Sequence, residues 1–346
     1  MIMKKLRVFL LWTAIALIIQ NGVFLYFEKV YLGGDTTVKA EKVEKKKISN
    51  MKDINIPSDA TDIKMSHDGT YIAFMEDGSL KVGDRTKGDI KTVKLEESME
   101  VNYTKWVTDG DFLIIAEKTK FSKNKPYIDI HKYDASRDEK VELTDLDLKK
   151  DIINLSSSKD NVEDMAFATS SNVMYFKIGK SSNRSDIYKI NVMSQMEKVK
   201  SNLVGIGAID IDPVNANLLY EQTNMVKLNT GTKQTKIKNL SDGIIIGHSD
   251  NSVFIGKGKA GEIDEIIYGD ADKSVSEWQK IKLDSKVDKK DIFVTAGGRV
   301  FIKSLNKNLT DAVTKKTIKY EGTLLDVNDK GILSSVDGKS KIIDVE

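Results

Sequence analysis

Two hydrophobic patterns divide this chain. From Val8 to Phe27 the residues VFLLWTAIALIIQNGVFLYF form a run of twenty without Asp, Glu, Lys or Arg. From Ile54 onward no long apolar run recurs, and short alternating stretches are broken every few residues by Asp-Gly, Asn or Ser. The first pattern predicts one helix about 30 Å long, the thickness of a bilayer's hydrocarbon core. The second predicts short strands joined by hairpins.

The alternating part has an internal period. TDIKMS (61–66) alternates, HDG turns the chain, YIAFM (71–75) follows, and DG turns it again. SLKVGD (79–84) and KTVKL (91–95) then make four strands in about 40 residues, the size of one propeller blade. The fourth-strand signal returns as KVEL ending at Leu143, EKVK at Lys200, TKIK at Lys238, QKIKL at Leu283 and KTIKY at Tyr320. After Tyr320 only TLLDV, GILSSV and KIIDV remain, so the last sheet is one strand short. MKDINIP (51–57) resembles the other fourth strands and is the candidate to complete it. An isolated four-stranded sheet cannot bury both faces, whereas radial packing buries them and keeps the edges short. The expected fold is therefore all-β, a β-propeller of about seven four-stranded blades, with six or eight as alternatives. One N-terminal transmembrane helix would precede it.

MSHDGTYIAF (65–74) resembles the WD40-like repeat of TolB-type and dipeptidyl-peptidase N-terminal-like propellers, in which an Asp-Gly turn precedes an apolar strand. TDGDFLII (108–115) and IDPVNANLLY (211–220) occupy the same place in later blades. The resemblance implies a propeller and transfers no functional residue, because that fold hosts unrelated functions.

Charge sets the expected topology. Lys4, Lys5 and Arg7 precede the apolar run, which predicts a cytoplasmic N-terminus and an extracytoplasmic remainder. Trp12 and Tyr26 suit the two membrane interfaces. A cleaved signal peptide is the rival, but its only small-residue site, Val38-Lys39-Ala40, lies more than ten residues beyond the run. A buried soluble helix is a third reading. The expected layout is a tail over 1–7, a transmembrane helix over 8–27, a charged stalk over 28–50 and the propeller over 51–346. Gln20 and Asn21 would be tolerated in lipid or would pair with a partner helix.

Residues 1–47 hold nine Lys/Arg against four Asp/Glu, an excess of +5 that leaves −3 for the rest of a chain whose net charge is +2. The propeller thus has no basic excess, which argues against a nucleic-acid partner. The absence of cysteine excludes disulfides, thiolate metal sites, a cysteine nucleophile and a lipoprotein anchor.

Candidate chemistry is sparse. His67, His131 and His248 are scattered, without the spacing of a metal pair, and read as surface or satisfied histidines. Gly256-Lys-Gly258-Lys-Ala-Gly261 fits a dinucleotide fingerprint by letters, but a strand follows it where a helix is needed, so it reads as a hairpin. Asp326-Val-Asn328-Asp-Lys330-Gly331 and Asp270-Ala-Asp272-Lys-Ser274 begin like calcium loops yet lack required ligands, and read as turns. No G-x-S-x-G occurs. No catalytic, cofactor-binding or metal-ligating residue is assigned, and no cofactor is expected. The expected role is a non-catalytic binding or scaffold module in the cell envelope, for an envelope protein or a cell-wall polymer. The alternatives are an extracytoplasmic hydrolase or lyase acting on glycans or peptides, and an accessory subunit docked through its membrane helix.

Overall fold

The structure is a computed structural model that describes residues 2–27 and 51–346, except 109, 121–124, 145–149, 151, 192, 231–235, 260 and 346. The stalk expected over 28–50, with Val38-Lys39-Ala40 in it, lies outside the described residues. Contacts divide the chain into two units, residues 1–45 and 46–346.

The first unit holds one helix, Ile2–Phe27, which takes in residues 2–7 of the expected tail without a break at Arg7. Leu10, Trp12, Ile18 and Phe24 are all more than half exposed, so apolar side chains point outward around the helix. The Asn21 side-chain amide donates to the Leu17 carbonyl at 2.8 Å, one turn back, which satisfies one of its donors within the helix. Among the described residues no helix is long and apolar enough to cross a membrane.

The second unit is a seven-bladed β-propeller. Its described strands form seven antiparallel sheets in simple sequential order. Blade 1 consists of Thr61–Met65, Tyr71–Glu76, Ser79–Asp84 and Asp89–Thr92. Blade 2 runs from Met99–Trp106 to Glu139–Glu142, blade 3 from Asn161–Ala168 to Met196–Val204, and blade 4 from Ile206–Ile211 to Lys236–Ser241. Blade 5 runs from Gly243–His248 to Gln279–Asp288, and blade 6 from Ile292–Val294 to Thr317–Lys319. Blade 7 has Thr323–Val327, Gly331–Val336 and Lys339–Asp344. All six fourth-strand signals overlap outermost strands, although KTVKL (91–95) shares only Lys91 and Thr92 with Asp89–Thr92.

The hairpin turns follow from residue chemistry. Asp77 and Gly78 both have positive φ, 48° and 72°, as do Asp337 and Gly338 at 51° and 77°. Two successive left-handed residues make the turn whose twist matches a β-hairpin, and Asp-Gly adopts it at low cost.

Apolar residues alternate into the seams between blades. Between blades 1 and 2, Leu80 and Val82 meet Leu113 and Ile115; between blades 6 and 7, Phe301 and Leu309 meet Val327 and Ile332. The ring closes through residues 54–56. The Ile56 N–H donates to Gly338 O and the Ser340 N–H to Ile54 O, each at 2.8 Å, and Asn55 bridges Lys339. Ile54 and Ile56, each 1% exposed, pack against Met65, Ile72 and Phe74 of blade 1 and Leu333 of blade 7. The missing strand is thus supplied by the N-terminal segment, as one bridge with flanking hydrogen bonds rather than a full strand.

Blade 2 departs from the sequence pattern. Ile152–Asn154 adds a fifth strand, pairing with Tyr127–Asp134 beside Glu139–Glu142. It lies inside the longest gap between fourth-strand signals, that between Leu143 and Lys200, where only one further blade was expected.

Candidate functional site

The innermost strands build the most elaborate polar surface of the propeller. Every first strand except that of blade 6 breaks register once. Such a bulge takes a backbone N–H out of the ladder and re-aims side chains. Aspartates answer those orphaned donors. Asp164 accepts the Met165 N–H through one oxygen and, across the seam to blade 4, the Ile209 N–H through the other, both at 2.8 Å. Asp326 repeats this between blades 7 and 1, accepting the N–H groups of Val327 and Met65 at 2.8 Å. Asp210 accepts the Ile211 N–H at 2.9 Å and contacts His248 Nδ1 of blade 5 at 2.7 Å.

Cations join blades 1, 2 and 3. Lys105 Nζ donates to Met165 O at 2.5 Å, linking blades 2 and 3. Lys64 Nζ donates to Thr104 O at 2.6 Å and pairs with Asp62 at 2.8 Å, while the Trp106 indole donates to Lys64 O at 3.1 Å. The loops after the first strands are tied in the same way. The Asn328 amide donates to Ser66 O and His67 O; Asp329 accepts from the Thr295 hydroxyl and from the Gly297 N–H. Positions set by this many charge-assisted bonds are fixed before any ligand arrives.

On this face, blades 6, 7, 1 and 2 surround a depression of about 670 Å³. Its wall offers the Tyr103 ring with Lys64 Nζ 5.0 Å from the centroid, Lys105, the carboxylates of Asp326 and Asp329, and the exposed Lys330. His67 stands at its edge, 3.9 Å from Asp111, too far for a hydrogen bond. A second hollow of about 300 Å³ adjoins it through Thr108 and Asp250 and contains His248. A volume of this size with apolar walls and a few convergent charges is the form of a ligand site.

The electrostatics differ from one carboxylate to the next. Burial pushes Asp326 up to about 6, against the two backbone donors that favour its charged form. Burial likewise raises Asp164, which is only partly offset by Lys105. Burial also acts to raise Asp210, but His248, Lys105 and the Ile211 N–H together outweigh it and hold that carboxyl below its ordinary range. Burial pushes Asp111 up, with Asp68 adding to the effect. Among the described residues no serine or threonine hydroxyl hydrogen-bonds to His248 of the Asp210–His248 pair.

The residues singled out by sequence fall as follows. His67 and His248 belong to this face, whereas His131 is buried in the outer half of blade 2. Val253–Lys259 pairs antiparallel with Glu262–Gly269, so Gly256–Gly261 is a hairpin. Asn328 Oδ1 accepts the Lys330 and Gly331 N–H groups, and Asp270 Oδ1 accepts the Asp272 N–H, both being side-chain-capped turns. Sequence reasoning passed over Asp164, Asp210 and Lys105. The signal for the two aspartates was an Asp followed by an apolar residue within the first strand, repeated as Asp164-Met165, Asp210-Ile211 and Asp326-Val327, whereas Lys105 carried none.

Compared with known proteins, the chain matches no family model and no curated protein. The seven-bladed fold stands on strand pairing alone, and the likeness to TolB-type repeats stays at the level of a single blade's sequence.

Proposed function

We propose that this chain is a membrane-anchored, extracytoplasmic binding module. Its propeller would hold an envelope protein or a cell-wall polymer at the depression bounded by blades 6, 7, 1 and 2. The observation that carries this reading is that depression, where Tyr103, Lys64, Lys105 and Asp326 converge on a rim fixed by inter-blade hydrogen bonds. Rigid blades presenting loops separate scaffold from binding surface, which suits recognition. The anchor reading is supported by the uncharged run of residues 8–27 within one continuous helix, by apolar side chains on all its sides and by the basic residues before it.

Cross-linking in intact membranes tests the binding site. The full chain, a His67→Ala/Lys330→Glu double variant and a fragment spanning residues 1–50 would be captured side by side. A partner that is recovered with the full chain and lost with the double variant, at unchanged melting temperature, supports the reading. Equal recovery with the double variant or with residues 1–50 alone overturns it. Protease added to intact spheroplasts should cleave beyond residue 28; protection of the whole chain would refute the outer location.

A further inference from the structure

The outer half of blade 2 buries charge that the central face does not use. Glu117 on the second strand stands opposite Asp129 on the third, and His131 stands opposite Glu142 on the fourth. Glu117, Asp129 and His131 are 0%, 2% and 1% exposed. Among the described residues, neither ring nitrogen of His131 has a hydrogen-bond partner, and neither does Oδ1 of Asp129. Native folds rarely leave buried polar atoms unmatched, and an unoccupied ion site is one of the recurrent reasons. Glu117 Oε1 lies 3.6 Å from His131 Nδ1, beyond hydrogen-bond reach, and is held by Lys140 at 2.5 Å. One ligand atom from each of Asp129, His131 and Glu142 lies within 4.8 Å of the other two.

The charge balance points the same way. Among the described residues, the buried and half-buried carboxylates of Glu117, Asp129 and Glu142 face the two ammonium groups of Lys140 and Lys150, which leaves one negative charge over, with the exposed Glu96, 3.9 Å from Lys140, outside this count. Lys150 contacts Glu142 and lies 3.8 Å from Asp129, yet its side chain is 55% exposed and free to swing into water. A divalent ion in its place brings the buried cluster to neutrality.

We infer that Asp129, His131 and Glu142 form a divalent transition-metal site, with Glu117 orienting His131 and Lys150 as the cation the metal displaces. With the metal bound, a small turn of the ring from the present 3.6 Å would let Nδ1–H of His131 donate to Glu117, which leaves Nε2 as the ligand and follows the usual carboxylate–histidine–metal arrangement. One imidazole with carboxylates suits zinc, manganese or iron, whereas calcium and magnesium take all-oxygen sets. Zinc bonds of about 2.0–2.2 Å put tetrahedral ligand atoms roughly 3.4 Å apart, so side-chain rotation suffices to close this site. The ion's task is structural. The outer edge of blade 2 is split between Glu139–Glu142 and Ile152–Asn154, and a metal joining Glu142 to Asp129 and His131 fastens that edge to the third strand.

The test uses the purified full chain, stripped with chelator and titrated with zinc chloride in a calorimeter, with cobalt absorption as a second readout. One zinc per chain and a raised melting temperature are expected. His131→Gln should weaken binding at least about tenfold, and Lys150→Ala should tighten it several-fold because the competing ammonium is gone. A plain salt-bridge cluster would show no zinc affinity to gain in Lys150→Ala. Absence of binding by the wild-type chain overturns the site, as does unchanged affinity in His131→Gln. If His131→Gln does not fold, Lys150→Ala decides: tighter binding upholds the site, and unchanged or weaker binding refutes it.

Discussion

Asp326 shows what a bulged inner strand asks of one side chain. Its carboxylate satisfies two backbone N–H groups on different blades, so it must be an acceptor, yet its surroundings disfavour charge. With its pKa raised from 3.8 to about 6, the folded protein keeps this proton in a window where the unfolded chain has released it. Stability is then lost as pH rises from about 4 to about 6, and the loss is level above that. The full shift corresponds to about 3 kcal/mol; for a carboxyl that faces an open depression, roughly 1–2 kcal/mol is expected. Asp326→Asn removes the titration but turns one oxygen into a donor facing an N–H, at a cost of about 1–3 kcal/mol. Denaturant melts from pH 4 to 7 should therefore show a less stable variant whose deficit shrinks as pH rises. A deficit that stays constant across that range would show that Asp326 does not titrate there.

At the scale of elements, what could be read from the sequence was what is local. Asp77-Gly78 announces its hairpin because two adjacent residues fix the turn, and KTVKL marks an outer strand by its own alternation. The extra strand Ile152–Asn154 was illegible because the strand it pairs with, Tyr127–Asp134, precedes it in the sequence by a whole further strand, Glu139–Glu142. The candidate site was harder still. Asp164 and Ile209 are 45 residues apart, and Asp326 and Met65 are 261 apart, so only ring closure brings them together. His131 looked like an ordinary strand histidine for the same reason, since Glu117 reaches it from the neighbouring strand. The turns give a clean local test. A Cβ added at Gly78 meets nothing within 4 Å, so Gly78→Ala carries only the left-handed backbone penalty of about 1–2 kcal/mol. The denaturation midpoint should fall by that amount with an unchanged m-value; no change would mean that the hairpin has re-formed with a different turn.

For the molecule as a whole, the decisive contact is the seam between blades 7 and 1, because it is the only described one made by a segment from the far end of the chain. Ile54 and Ile56 are wedged there, and Gly83 has no side chain because a Cβ would come within 2.8 Å of Ile54. Truncating a buried Ile to Ala costs about 2–5 kcal/mol, and two at one seam approach the 5–15 kcal/mol that holds a typical domain together. Repeats that contact only their neighbours lose stability from the broken interface outward. In Ile54→Ala/Ile56→Ala, amide exchange across Lys339–Asp344 should quicken by at least roughly a thousandfold, since the smaller sum of about 4 kcal/mol is nearly three factors of ten at 1.4 kcal/mol each. The strands Leu218–Gln222 and Met225–Thr230 of blade 4, across the ring, should keep most of their protection. Equal loss in blades 7 and 4 would instead mean that the propeller opens as one cooperative body, in which case the inter-blade carboxylates Asp164, Asp210 and Asp326, rather than the closing segment, set its stability.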